Sequence, residues 1–190
     1  YGTDDENRPK GDGAPRCPQN FLVARRLVEA GVRVVTIIYS FWDWHGSNFS
    51  NARQEFPVFE KGLTALVEDL HARGLDKDVT VVAWGEFGRT PKISYATGSI
   101  SKVRQPGRDH WPRATSMLFA GGGITPGQVI GATDIRGEDV VARRIGPVDF
   151  LATMYRHLGV DPSRVEFADF SGRPIPVLNA GSPIPELLPV

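Results

Sequence analysis

Three short runs of the 190-residue chain carry the side chains best suited to chemistry. The first is Ser40-Phe41-Trp42-Asp43-Trp44-His45-Gly46, the second Gly85-Glu86-Phe87-Gly88-Arg89-Thr90-Pro91, and the third Gly107-Arg108-Asp109-His110-Trp111-Pro112. Imidazole together with carboxylate is an N/O donor set that suits zinc, manganese or ferrous iron. Asp43 and His45 are two positions apart, so on an extended segment they point the same way and address one ion together. Asp109 and His110 are adjacent and point apart. One of them therefore suits the ligand set, and the other suits orienting or capping. Glu86 suits either a ligand or a general base. Arg89 and Arg108 offer the planar guanidinium fork that holds phosphate or sulfate in two-point contact. Each of these residues also has a plainer use. Glu86 could pair with Arg89 or Arg108, and those arginines could simply brace loops.

The elements that must position these runs are legible as periodicity. Residues 1–20 are polar and rich in Gly, Pro and Asp, which predicts a flexible arm before one α/β domain over 21–190. Apolar spacing predicts helices over 19–30, 55–73 and 147–158, stopped by Gly31, Gly74 and Gly159. The run at 32–39 (VRVVTIIY) is apolar on both faces and reads as a buried strand of a parallel sheet, and 78–84 (DVTVVAW) reads as a second buried strand. The run at 114–120 (ATSMLFA) reads as a third strand, whose direction, parallel or antiparallel, its sequence does not decide. Strand, helix, strand is then a right-handed βαβ unit. The expected fold is α/β, a mainly parallel sheet flanked by helices. Ligands of such sheets bind outside the carboxyl ends of the strands, so the loops after 39 and 84 should share one edge. Residues 85–113 are expected as a long loop, and the Pro- and Gly-rich stretch from Asp161 onward as a surface wrap.

Composition removes several classes. Lys and Arg number 22 against 22 Asp and Glu, so the net charge is zero, which argues against nucleic-acid and polybasic membrane-surface binding. No apolar run reaches the roughly 18–20 residues that span a bilayer. A single cysteine, Cys17, excludes an internal disulfide framework and a cysteine-rich zinc site. The G-x-S-x-G, Walker A, G-x-G-x-x-G and H-E-x-x-H patterns are all missing. His71 and His157 sit near predicted helix C-termini, where the helix dipole favours them without further function. Trp42, Trp44, Trp84 and Trp111 lie in or beside the three runs, where indole rings pack beneath irregular loops or floor a sugar cleft. The chain begins at Tyr1 without a charged, apolar leader, which predicts a chain that has been processed, trimmed or cut from something longer.

Those three runs, together with residues 21–32, 120–124 and 127–134, resemble the domain-of-unknown-function family 1501, grouped with the alkaline phosphatase and sulfatase superfamily. The resemblance covers nearly everything after residue 20. It implies an alkaline phosphatase-like parallel sheet, present here as the C-terminal part of a longer family domain. It implies hydrolysis or transfer of phosphate or sulfate esters at a metal site, with an extracytoplasmic location. The superfamily's Asp-and-His ligand pair falls on Asp43 and His45, and its later lone His ligand on His110. An Asp-His-Gly turn that serves a second ion falls on Glu86, Phe87 and Gly88. Phe87 cannot bind a metal, and no nucleophile is supported by motif.

The expected function is therefore a metal-dependent hydrolase of phosphate or sulfate esters, with a small molecule or a polysaccharide as substrate. The expected ligands are Asp43, His45, Glu86 and His110, with Glu86, Arg89 and Arg108 as the catalytic side chains. Zinc is the leading ion, ahead of manganese, iron and calcium. The rival expectation is a non-catalytic metal- or glycan-binding module of the same fold.

Overall fold

The computed structural model describes residues 14–97 and 102–189. In chain order the helices are α1 (Gln19–Glu29), α2 (Asn48–Ala72) and α3 (Pro147–His157). The strands are β1 (Thr80–Trp84), β2 (Gly88–Arg89), β3 (Ser94–Thr97), β4 (Arg104–Gly107), β5 (His110–Trp111), β6 (Met117–Gly121), β7 (Ala132–Thr133), β8 (Val140–Ala142), β9 (Glu166–Ala168) and β10 (Pro174–Pro176). The chain divides into two compact units, one formed by residues up to Arg73 with Gly85–Ser116, the other by Gly74–Trp84 with the chain from Met117 onward. Among the described residues no helix is long and apolar enough to cross a membrane.

The expected parallel sheet is not formed. Among the described residues the strands make five two-stranded antiparallel pairs: β1 with β6, β2 with β5, β3 with β4, β7 with β8, and β9 with β10. The alkaline phosphatase-like expectation therefore falls. A continuous apolar run encodes burial but not the direction of its partner. β1 pairs Thr80 with Gly121 and Trp84 with Met117, so the chain leaves β1 and returns beside it in the opposite sense. Residues 32–39 are extended but join no strand pair among the described residues, with Tyr39 turned inward and Val34 and Ile38 outward.

In the first unit, α1 packs on α2 through Phe21. A Cβ at Gly62 would come within 2.6 Å of the Phe21 ring, so glycine there sets how closely the helices approach. Buried Arg25 donates to Asp69 at 2.9 Å and pairs with Glu29, and Arg73 bonds the same two acids at 2.7 and 2.9 Å. Phe21, Tyr39, Trp42, Trp44, Phe56 and Phe59 form one aromatic cluster, with ring centroids 5.2–6.3 Å apart. α2 begins at Asn48, before the expected residue 55, because its polar first turns carry no apolar stripe to announce them. The expected arm lies outside the described residues as far as 13. Beyond that, Ala14 and Pro15 exchange backbone bonds of 3.1 and 3.3 Å with Ser40.

In the second unit, Asp149, Thr153 and His157 form one stripe of α3 at i, i+4 and i+8. They hold the C-terminal segment by its backbone. Asp149 accepts from the Ser182 amide at 2.9 Å, Thr153 Oγ1 from the Ile184 amide at 2.9 Å, and His157 Nε2 donates to the Leu187 carbonyl at 2.7 Å. With Nε2 donating, His157 Nδ1 accepts from the Thr80 hydroxyl at 3.0 Å, which makes this histidine a structural tie. Asp149 also caps α3 by accepting from the Gly146 amide at 2.9 Å.

Two outcomes follow from this packing. Gly62→Ala gains about 1 kcal/mol of helix propensity but forces the Phe21 ring aside, an overpacking cost of about 1–3 kcal/mol. A lower thermal midpoint is expected, and a higher one contradicts the packing. Bonds from Ser182 and Gly146 hold the Asp149 carboxyl below its ordinary range. Its contribution is thus complete above the ordinary carboxylate pKa and is lost as pH falls through the lower folded value. Asp149→Ala should cost about 0.5–2 kcal/mol at neutral pH, and the gap to the unaltered chain should close in acid unfolding titrations.

Candidate metal centre

Asp43 and His45 leave the aromatic cluster on alternate sides of the chain from its tryptophans. Trp44 is buried among the rings and Trp42 stacks on Trp44, Phe56 and Phe59, so the intervening Asp43 and the following His45 face outward. The tryptophans thus anchor the loop, and the packing use foreseen for them is the one observed for Trp42 and Trp44. Trp84 stacks on Phe150 in the other unit, and Trp111 lies under the Arg113 guanidinium. His110 is delivered by β5, which pairs with β2 so that Arg89 stands opposite His110 and Gly88 opposite Trp111. The two chain segments are pressed together at Gly107, where a Cβ would overlap the His45 carbonyl.

One atom organises the result. Asp43 Oδ1 lies 2.6 Å from His110 Nε2, 3.0 Å from His45 Nε2 and 2.7 Å from an Arg89 guanidinium nitrogen. Asp43, His45 and His110 each offer one ligand atom, and these atoms all lie within 4.8 Å of one another. The side chains are 48%, 43% and 44% exposed, so the cluster opens to solvent. Hydrogen bonding from His110, with Arg89 adding to it against the cost of burial, holds the Asp43 carboxyl down to about 2. The carboxylate is therefore anionic at neutral pH. Two imidazole nitrogens and one carboxylate oxygen make a mixed N/O donor set that a divalent transition metal can take. Donors of a tetrahedral zinc stand about 3.3 Å apart for bonds of about 2.0–2.1 Å, so the 2.6 and 3.0 Å contacts with Asp43 would have to open for an ion to enter.

His45 is also held from its other side, with Asp109 Oδ1 3.0 Å from its Nδ1. This contact, and a further bond from Ser94, lower the Asp109 pKa. Phe87 lies against His110 with ring centroids 4.2 Å apart, so the residue that cannot bind a metal instead backs one that can.

The remaining expected residues divide. Arg89 braces the loops: one terminal nitrogen reaches Asp43 and the Trp42 carbonyl at 2.7 and 2.8 Å, the other the Arg108 carbonyl at 3.1 Å. Arg108 lies over the Phe49 ring at 5.8 Å, and its buried Nε has no hydrogen-bond partner among the described residues. Glu86 is exposed and stands outside the three-residue cluster. Arg89 gives its charge to Asp43 instead of to Glu86. His71 and His157 both fall in the last turns of their helices. Sequence reasoning did not foresee Gly107 as a spacer or the Asp109–His45 contact. The alternation of tryptophan with Asp43 and His45 was the available signal for which way those side chains face.

The family model described as "Protein of unknown function (DUF1501)" matches residues 1–188. The chain belongs to that family. No curated protein and no solved structure matches it.

The spacer glycine gives a direct check on the assembly. Gly107→Ala meets backbone, which no rotamer change relieves, and should cost about 1–3 kcal/mol of stability. Gly46→Ala meets only the end of the Gln105 side chain at 3.3 Å and should cost far less. Equal thermal midpoints for the two variants contradict the close approach.

Proposed function

We propose that Asp43, His45 and His110 hold one divalent cation, zinc by preference, and that the centre hydrolyses a phosphate or sulfate ester. The observation that carries this is the convergence of three ligand atoms within 4.8 Å on half-exposed side chains. Three protein donors with an open side is the pattern of catalytic zinc, whereas structural zinc is enclosed by four. When bound, the cation supplies Lewis acidity toward the ester's oxyanion and lowers the pKa of water. Asp43 contributes the anionic donor, and Arg89 fixes the orientation of its carboxylate. With Arg89 committed to Asp43, Arg108 is the remaining arginine of the three runs for an oxyanion, and exposed Glu86 is suited to accept a proton. The ester class rests only on the grouping of the resembled family with phosphatases and sulfatases, a grouping whose parallel sheet is not formed among the described residues. A small molecule or a polysaccharide could carry the ester.

A second reading, a non-catalytic metal-binding module, is favoured by one observation. Arg89 is spent on Asp43 and two carbonyls, leaving one fewer cation for a substrate. Its glycan-binding form has less support, because Trp42 and Trp44 are packed inward.

The test is metal content by inductively coupled plasma mass spectrometry, with turnover of p-nitrophenyl phosphate and p-nitrophenyl sulfate by the same zinc-loaded chain. Near-stoichiometric zinc is expected, lost in a His45→Ala/His110→Ala double variant together with hydrolysis of one of the esters. Bound zinc without turnover of either ester establishes the module instead. Background zinc in both proteins refutes the centre.

A further inference from the structure

We infer that Asp109 is the positioning residue of the metal centre, fixing which nitrogen of His45 faces the ion; this rests on the metal reading proposed above. An imidazole has two nitrogens, and a metal takes only one that carries no proton. His45 Nε2 lies 3.0 Å from Asp43 Oδ1, on the side where the three donors converge. Its Nδ1 lies 3.0 Å from Asp109 Oδ1. A carboxylate only accepts, so Asp109 favours a proton on Nδ1 and Asp43 favours one on Nε2. A cation at the convergence of the three donors displaces the proton that Nε2 shares with Asp43, while the Asp109 contact on the far side keeps its own and leaves Nε2 as the donor nitrogen.

The backbone that carries the carboxylate is itself tied in place. Asp109 and Thr90 are tied twice through the backbone: the Thr90 amide donates to the Asp109 carbonyl at 2.8 Å, and the Asp109 amide donates to Thr90 Oγ1 at 3.0 Å. These bonds join the residue just after β2 to the residue just before β5, the strand that carries His110. Asp109 and His110 therefore leave the same short segment in different directions. One carries a metal-facing nitrogen to Asp43, while the other grips the far side of His45. No other carboxylate among the described residues is recorded within ion-pair distance of His45 Nδ1.

The test is zinc affinity of the full 190-residue chain, measured by competition with a chromophoric chelator and paired with the thermal midpoint of each zinc-free protein. Asp109→Ala should weaken zinc binding about 10–100-fold with little change in the zinc-free midpoint. Asp109→Asn retains an oxygen that can accept from Nδ1 and should recover part of that loss, and this rescue is not expected of a residue that merely braces the loop. Zinc binding by Asp109→Ala as tight as that of the unaltered chain, with His45→Ala binding weakly, overturns the role of Asp109 and leaves the metal centre standing. Equal weakening in Asp109→Ala and Asp109→Asn with lowered zinc-free midpoints in both overturns it too, in favour of a structural role. No zinc binding by the unaltered chain overturns the centre, and the role of Asp109 falls with it.

Discussion

Asp43 Oδ1 is shared by two imidazoles and a guanidinium, drawn from three segments far apart in sequence. Arg89 stands 46 residues from Asp43, and His110 stands 67. Concentrating donors on one anionic oxygen is favourable only if each is delivered without a large loss of side-chain freedom. The surrounding structure reads as the means of that delivery. The β2–β5 pair sets Arg89 opposite His110, Phe87 backs the His110 ring, and the aromatic cluster fixes the chain on either side of Asp43. At half exposure these ion pairs add little to stability. Their arrangement is better explained by the site than by the fold.

The rigidity around the cluster comes from packing and from backbone bonds, not from charge. Trp42 and Trp44 are sunk into six rings, and each such aromatic pair adds roughly 0.5–1.5 kcal/mol beyond simple burial. Gly107 lets the two site segments meet backbone to backbone, and Thr90 locks the residue before β5. A cation entering the cluster would thus meet ligand atoms already gathered within 4.8 Å of one another and would exchange the hydrogen bonds of the two imidazoles to Asp43 for its own bonds.

Much of the site was legible before the fold was. Two Asp-His runs in loops beside tryptophan pointed to a metal, and their residues converge. The helices α1 and α3 were legible as well, because each carries an apolar stripe and ends at glycine. The start of α2 was not, since Asn48 to Gln54 show no stripe. The parallel sheet was a misreading and the direction of the strand at Met117–Gly121 stayed open, both for one physical reason: Thr80–Trp84 and Met117–Gly121 look the same whether their partner runs parallel or antiparallel, and only the chain's return path decides. The Asp109–His45 pair was out of reach for a different reason. It spans 64 residues, and adjacency to His110 says only that the two side chains diverge, not where each one arrives.

The central claim is that two imidazoles and one carboxylate converge on a single cation. X-ray absorption at the zinc edge of the zinc-loaded chain measures that donor set directly. The account predicts nitrogen and oxygen neighbours at about 2.0–2.1 Å, with the outer-shell scattering of two imidazole rings. A spectrum with no imidazole scattering, or with a sulfur neighbour at about 2.3 Å from Cys17, would contradict it.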